Sequence, residues 1–151
     1  MSKIEIREGR AEDVGVLLDL IKELALYEKA PQEVINTTEA MLQDGFGEKP
    51  IFKFWLAWQG SQAVGMAVVY FRYSTWKGKC LYLEDLYIQP AYRKMGIGEK
   101  FFDVLKKFAQ AERCQRITWQ VLEWNEAAIN FYKKIGATLD AEWINGFLEI
   151  Q

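Results

Sequence analysis

Residues 80–102 read CLYLEDLYIQPAYRKMGIGEKFF, and this stretch decides most of the fold. Its first nine residues are mostly large and apolar, which is typical of a strand buried on both faces. Pro90 then interrupts the chain, and apolar residues recur at helical spacing from Gly98 onward. The stretch therefore predicts a buried strand, a glycine loop and a helix. The adjacent carboxylates Glu84 and Asp85 are unexpected in such a strand, because burying an ionised carboxylate is expensive.

The rest of the chain predicts a mixture of strands and helices in one domain, residues 1–151. Hydrophobic periodicity predicts strands near residues 4–7, 52–58, 63–71, 80–88 and 116–122, one or two more in 138–151, and helices near 14–25, 98–112 and 126–135. Asn36 followed by Glu39 resembles a capping box for another helix, with Gly45 as its stop. The hairpin-rich first half and the βαβα second half predict the α+β (mixed α/β) class, with helices packed on a mixed sheet.

Composition excludes several classes of function. The 151 residues include 19 basic and 21 acidic ones, and the net charge of −2 argues against nucleic-acid or anionic-membrane partners. There is no histidine, which removes the commonest general base and most zinc sites, so no metal is predicted. Cys80 and Cys114 lack a C-x-x-C spacing, and the N-terminus is too polar for a signal peptide. We therefore predict a cytoplasmic protein.

The loop contains R-x-x-G-x-G, formed by Arg93, Gly96 and Gly98 at the entry to a helix. Glycines let backbone N–H groups approach a ligand closely, and a helix N-terminus adds unpaired donors and partial positive charge. This pattern indicates a phosphate or pyrophosphate site. The dinucleotide fingerprint and the P-loop are excluded because their remaining residues are absent. An ordinary strand-to-helix turn is the alternative.

With the strand and acidic pair before it, this loop resembles the acetyl-CoA loop of the GNAT (GCN5-related N-acetyltransferase) superfamily. A second motif agrees: WNEAAINFYKKIGA at 124–137, in which Asn125 precedes A-x-x-F-Y-x-x-x-G-A. The element order also matches, so the resemblance covers nearly the whole chain. It implies the GNAT fold, a central mixed, mostly antiparallel sheet flanked by helices, and acetyl transfer from acetyl-CoA to a primary amine.

Three longer stretches resemble the diamine acetyltransferase family, which includes spermidine/spermine acetyltransferases and thialysine acetyltransferases. They are LIKELALYEKA (20–30), YFRYSTWKGKCLYLEDLYIQPAYRKMGIG (70–98) and LEWNEAAINFYKKIGA (122–137). The polyamine enzymes tend to have Tyr-Asp-Pro-Trp where this chain has residues 73–76. The Ser-Thr-Trp-Lys-Gly sequence at 74–78 is closer to the thialysine branch. The resemblance therefore argues against spermidine as the favoured acceptor.

The resemblance implies that Glu84 is the base and Tyr132 the acid. Desolvation among apolar strand residues would make Glu84 a stronger base, acting directly or through a water. The alternatives are that Glu84 pairs with a Lys or Arg of a neighbouring element and that Tyr132 is a packing residue. Asp85 points to the opposite face by alternation, unless a bulge intervenes, and binds substrate charge or makes a structural hydrogen bond.

The resemblance also implies two binding sets. The cofactor set comprises the backbone of Leu86, Tyr87 and Ile88, the loop residues Arg93, Lys94, Met95, Gly96, Ile97, Gly98 and Glu99, and Asn125, Ala128 and Tyr132. The amine set comprises Tyr27, Glu28, Trp76, Glu84, Asp85, Thr118, Trp119 and Gln120. The strand would offer an open edge to the pantetheine amides. As alternatives, Asn125 caps its helix and Glu28 lies at a solvated helix end.

The predicted function is acetylation of a small-molecule amine, such as a thialysine-like amino acid, a diamine or a polyamine, by a homodimer that the family resemblance alone implies. One alternative is a protein or peptide amine, or an antibiotic, as the acceptor. The other is a non-catalytic acyl-CoA-binding sensor, which would need neither Glu84 nor Tyr132.

Overall fold

The structure is a computed structural model that describes residues 3–150, so Met1, Ser2 and Gln151 lie outside it. The strands are β1 (Ile4–Glu8), β2 (Lys53–Gln59), β3 (Gln62–Ser74), β4 (Gly78–Ile88) and β5 (Ile117–Trp119). The α-helices are α1 (Val14–Tyr27), α2 (Thr38–Phe46), α3 (Ile97–Ala111) and α4 (Glu126–Lys134). Two compact units divide between Trp119 and Gln120, and the sheet lies wholly in the first. Among the described residues, no helix is both long and apolar enough to cross a membrane.

The five strands form one sheet in the order β1-β2-β3-β4-β5. The first four strands pair antiparallel with their neighbours, and β5 lies parallel to β4. The predicted hairpin between β2 and β3 is confirmed: the strands end and begin at Gln59 and Gln62, and Gly60 turns the chain with φ of 59°. The predicted α+β class, with a mixed and mostly antiparallel sheet, is therefore confirmed.

The helices α1 and α3 cover opposite faces of this sheet. Leu17 of α1 belongs to the same buried cluster as Leu56 of β2. The next residue back along β2, Trp55, instead makes a ring contact with Phe108 of α3, 5.1 Å between centroids. Because successive strand side chains point to opposite faces, α1 lies on one face and α3 on the other.

The limits of α2 differ from the prediction. Its N-cap is Thr37, whose Oγ1 accepts a hydrogen bond from the Ala40 N–H at 3.1 Å, while Asn36 Oδ1 accepts from the Thr37 N–H. The predicted stop at Gly45 is wrong, because this glycine lies inside the helix. A Cβ there would lie 2.8 Å from the Phe52 ring, so close packing explains the glycine.

The predicted strands near the end of the chain are wrong for residues 138–150, which contain neither strand nor helix. Ile144 and Phe147 are 96% and 85% exposed. An alternating apolar pattern forms a strand only where another edge supplies hydrogen bonds, and residues 120–150 contain no strand to do so. The strand predicted at 116–122 likewise ends at Trp119.

Candidate active site

A β-bulge in β4 sets the directions of the two adjacent carboxylates. Val69 pairs with Leu83 and Val68 pairs with Asp85, so Glu84 is the extra residue of the bulge. Asp85 lies opposite Val68, which belongs to the α1-side core, and so it faces α1. The alternation that would point the carboxylates to opposite faces is therefore interrupted, as the sequence allowed.

Asp85 is the more buried of the two carboxylates, at a half-buried position, whereas Glu84 is exposed. Burial and, to a smaller extent, the charges of Glu84 and Glu28 raise the pKa of Asp85 from 3.8 to about 7. The expectation that Glu84 is the desolvated carboxylate is wrong, because the bulge turns it out of the apolar strand. Asp85 can therefore gain or lose a proton near neutral pH. Within residues 3–150, no Lys or Arg pairs with Glu84, so the structure gives no support to a structural ion pair there.

Glu28 completes a group of three acids, which we call the carboxylate cluster: Glu28, Glu84 and Asp85. Glu28 follows the last residue of α1 and is half-buried, and this burial raises its pKa. It therefore lies at a helix end that is only partly solvated. Its charge is also one of the causes that raise the pKa of Asp85. A half-buried cluster of negative charge suits a cationic ligand such as an alkyl ammonium.

Arg93 connects the glycine loop to α1 and β4. Its Nε donates a hydrogen bond to the Ile88 carbonyl at 2.9 Å. Its guanidinium lies over two aromatic rings, 4.9 Å from the centroid of Tyr27 and 5.7 Å from that of Tyr87. The side chain predicted to bind pyrophosphate is thus already held by the protein, and Lys94 is the exposed cation of the loop.

Sequence reasoning missed Glu23, an acid of α1 that also connects this helix to β4. Glu23 of α1 accepts hydrogen bonds from the Tyr87 hydroxyl at 3.2 Å and from Gln89 Nε2 at 3.3 Å. The spacing of four residues between Glu23 and Tyr27 places both on one face of α1, and this was the available signal. It does not reveal which residues of β4 that face meets.

The glycine loop has the backbone geometry of an anion site. Lys94 and Gly96 both have positive φ, 63° and 79°, and Gly96 is the N-cap of α3. The first hydrogen bond of the helix runs from the Lys100 N–H to the Gly96 carbonyl at 3.1 Å. The N–H groups of the residues before Lys100 therefore come before the helical hydrogen bonds begin. Of the remaining predicted residues, Met95 and Glu99 are exposed, and Ile97 and Gly98 are buried.

The outer edge of β4 is open beside this loop. β5 pairs with β4 only over Leu81–Leu83. The predicted cofactor strand, residues 86–88, pairs with β3 on its other side and has no β5 partner. One carbonyl of that strand, from Ile88, accepts the Arg93 hydrogen bond. The rest of the edge fits an amide-containing chain, which would add to the sheet as an extra strand does.

The structure separates the predicted amine set. Trp76 lies at the β3–β4 turn with its side chain 88% exposed. Trp119 makes a ring contact with Phe102 of α3 at 5.3 Å, so it faces away from the carboxylate cluster, which corrects the expectation that it lines the same pocket. Thr118 is opposite Tyr82, and its Oγ1 is buried without a hydrogen-bond partner among the described residues.

The remaining predicted residues lie in the second unit. Asn125 caps α4, because its Oδ1 accepts a hydrogen bond from the Ala128 N–H at 3.2 Å, which confirms the capping role. Tyr132 is only 7% exposed, and its ring lies 5.5 Å from that of Phe131. Gln120 is exposed, and its Nε2 donates to Asn145 Oδ1 at 2.6 Å.

The chain matches a known protein family over most of its length. The model of the Acetyltransferase (GNAT) family matches residues 17–137, and the chain belongs to this family. It is therefore an acetyl-CoA-dependent N-acetyltransferase of the GNAT type.

Among its relatives, thialysine N-epsilon-acetyltransferase of Mus musculus is 41% identical over 145 residues, which are 91% of this chain and 85% of that protein. Spermidine/spermine N(1)-acetyltransferase-like protein 1 of Homo sapiens is 38% identical over 91% of this chain and 21% of its own length.

Solved structures agree with the fold. An aminoglycoside acetyltransferase from an uncultured soil metagenomic sample, in complex with sisomicin, matches with a TM-score of 0.81 and 15% identity over 98% of this chain and 97% of its own. An aminoglycoside N-acetyltransferase in complex with CoA matches with a TM-score of 0.77 and 16% identity, over 99% and 96%. At these identities the likeness concerns the fold alone.

Proposed function

We propose that this enzyme acetylates the primary amine of a small molecule: a thialysine-like amino acid, a diamine or a polyamine. The observation that carries the proposal is the carboxylate cluster beside the open edge of β4. The names of the two relatives, which refer to thialysine and to spermidine/spermine, support this substrate class. The sequence STWKG at 74–78 favours the thialysine-like acceptor.

An alkyl ammonium must lose a proton before its nitrogen can attack, because its pKa is about 10.4. Glu84 is the proposed base, acting directly or through a water, since it is the most exposed acid of the cluster. Glu28 and Asp85 would attract the ammonium as it arrives. Asp85 is also able to take up a proton near pH 7, because its pKa is raised to about 7 by burial and by the neighbouring acids.

The residues present fit acetyl-CoA. Lys94 and Gly96 have positive φ, and the backbone N–H groups of this loop and of the first turn of α3 would bind the pyrophosphate. The free edge of residues 86–88 would pair with the pantetheine amides, and Asn125 and Ala128 belong to the same proposed set. Bound acetyl-CoA supplies an activated thioester. Tyr132 is the proposed acid that donates its proton to the departing sulfur.

An acceptor panel tests this function. Release of free CoA would be followed with thialysine, lysine, diamines, spermidine and a peptide with a free N-terminus, and ranked by kcat/KM. We expect the small amines to rank above the peptide. A peptide ranked first would instead favour a protein acceptor. Binding of acetyl-CoA without CoA release from any amine would indicate an acyl-CoA sensor.

Two further expectations remain predictions. The family resemblance implies a homodimer, and the reduced cysteines imply a cytoplasmic protein. Light scattering on the purified chain tests the first, and fractionation of expressing cells tests the second.

A further inference from the structure

Arg72 places a positive charge on the sheet face that carries the carboxylate cluster. Val68, Tyr70 and Arg72 share one face of β3 because they are two residues apart, and Val68 belongs to the core that α1 covers. The Arg72 guanidinium lies 5.1 Å from the centroid of the Tyr82 ring. Tyr82 in turn contacts Tyr70, with 5.1 Å between ring centroids. We call Tyr70 and Tyr82 the tyrosine pair.

Arg72 and Glu84 lie on opposite sides of the tyrosine pair. Arg72 is opposite Cys80, two residues before Tyr82, whereas Glu84 follows Tyr82 by two residues. Because Glu84 is the extra residue of the bulge, the rise of a strand separates these two backbone positions by roughly 10–13 Å. Both charges influence the tyrosine pair electrostatically. Burial and the Glu84 charge raise the pKa of Tyr82, and the Arg72 charge lowers it.

The Arg72 charge is available to a ligand. Among residues 3–150, its guanidinium makes no ion pair with a carboxylate, and its side chain is exposed. A planar guanidinium can bind a carboxylate through two parallel hydrogen bonds. The face therefore offers a cation at one end, an acid at the other and two aromatic rings between them.

An amino acid with a side-chain amine matches this arrangement. Its amine would lie at Glu84, its carboxylate at Arg72, and its aliphatic chain across the rings of the tyrosine pair. A diamine or polyamine carries only positive charges, so one of its ammonium groups would face the Arg72 guanidinium. Such a like-charge contact disfavours binding of the diamine or polyamine.

We propose that Arg72 binds the carboxylate of the acceptor, so that the enzyme selects amino acids with a side-chain amine over diamines and polyamines. This inference rests on the proposed function and narrows its substrate class.

The test uses two acceptors that differ only in the carboxylate: thialysine and bis(2-aminoethyl) sulfide, which is thialysine without that group. The kcat/KM of each would be measured for wild type, Arg72→Gln and Arg72→Lys. Arg7→Gln is the matched control, because Arg7 also lies over an aromatic ring, 4.9 Å from that of Trp58, on the edge strand β1.

Wild type is expected to prefer thialysine. Arg72→Gln should lower kcat/KM for thialysine by about 10- to 100-fold, mainly through KM, as expected for a lost hydrogen-bonded charge pair. For the diamine, Arg72→Gln should leave kcat/KM unchanged or raise it. The kcat/KM values of Arg72→Lys should lie between those of wild type and Arg72→Gln. Those of Arg7→Gln should resemble wild type for both acceptors.

Two results would overturn the role of Arg72 while leaving the proposed function intact: equal losses for both acceptors, or a wild type that prefers the diamine. Absence of CoA release from every amine would overturn the proposed function and, with it, this inference.

Discussion

The guanidinium of Arg93 lies 4.9 Å from the centroid of the Tyr27 ring and attaches the glycine loop to the end of α1. The same side chain is held from β4 by the hydrogen bond between its Nε and the Ile88 carbonyl. Tyr27 belongs to the predicted amine set and Arg93 to the predicted cofactor set. The contact therefore connects two proposed binding sites through one cation and one ring.

Tyr27→Leu is expected to weaken binding of acetyl-CoA, although Tyr27 lies in the amine set. A cation–π contact of this kind contributes about 0.5–2 kcal/mol, so its loss should raise the KM for acetyl-CoA several-fold by releasing Arg93. Arg93→Lys should act in the same direction. The KM for acetyl-CoA of the double variant should be little higher than that of the more affected single variant, because both changes disrupt the same contact between the Arg93 guanidinium and the Tyr27 ring. Additive effects in steady-state kinetics would argue against the connection, and Tyr73→Leu, at an exposed position of β3, is the control.

Glu84→Gln is expected to reduce the rate most at neutral pH. The base is needed where the amine is protonated, and a fully lost general base typically costs about 10²–10⁴-fold. At higher pH more of the acceptor is already the free amine, so the loss should shrink. The measurement is kcat/KM against pH from 6.5 to about 9.5. An equal loss at every pH would instead assign Glu84 to substrate positioning.

The sequence predicted the parts of this site whose signals are local. The apolar run of β4, the two glycines and the periodicity of α3 lie within 80–102 and predict strand, loop and helix. The bulge at Glu84 was not predictable, because it depends on how Val68 and Val69 of another strand pair with β4. The partner of Arg93 was missed for the same reason, since Tyr27 lies far away in the chain. Which of the two carboxylates is the more buried is thus a tertiary property.

Asp85→Asn is expected to stabilise the protein above pH 7. The folded-state pKa of Asp85 is about 7, raised from 3.8 mainly by burial, so its favourable contribution is complete below pH 4 and is lost as the pH rises through 7. Through this shift in pKa, the free energy of unfolding falls by at most about 4 kcal/mol between low and high pH. Urea unfolding at pH 5 and pH 8.5 should therefore show a growing advantage of the variant with pH. An equal difference in the free energy of unfolding between variant and wild type at both pH values would contradict the raised pKa of Asp85. Asp103→Asn, at an exposed site on α3, is the control.

Tyr132→Phe is expected to lower kcat at least tenfold while changing the KM for acetyl-CoA less than twofold. The substitution removes the proposed proton donor and keeps the ring, which is buried on α4. Tyr73→Phe, at a 75% exposed position, is the matched control. An unchanged kcat would remove the acid role and leave Tyr132 as a packing residue.

Gly96→Ala separates backbone strain from cofactor binding when it is compared with Gly60→Ala. Both glycines have positive φ, 79° and 59°, and a Cβ at either position would meet no atom within 4 Å. Each substitution should therefore lower the free energy of unfolding by a similar amount, about 1–2 kcal/mol, through strain alone. Only Gly96 belongs to the loop whose N–H groups are proposed to bind the pyrophosphate, so only Gly96→Ala should weaken binding of CoA, by tenfold or more in a calorimetric titration. Equal CoA affinities for the two variants, at equal loss of stability, would show that the backbone of this loop is not the anion site.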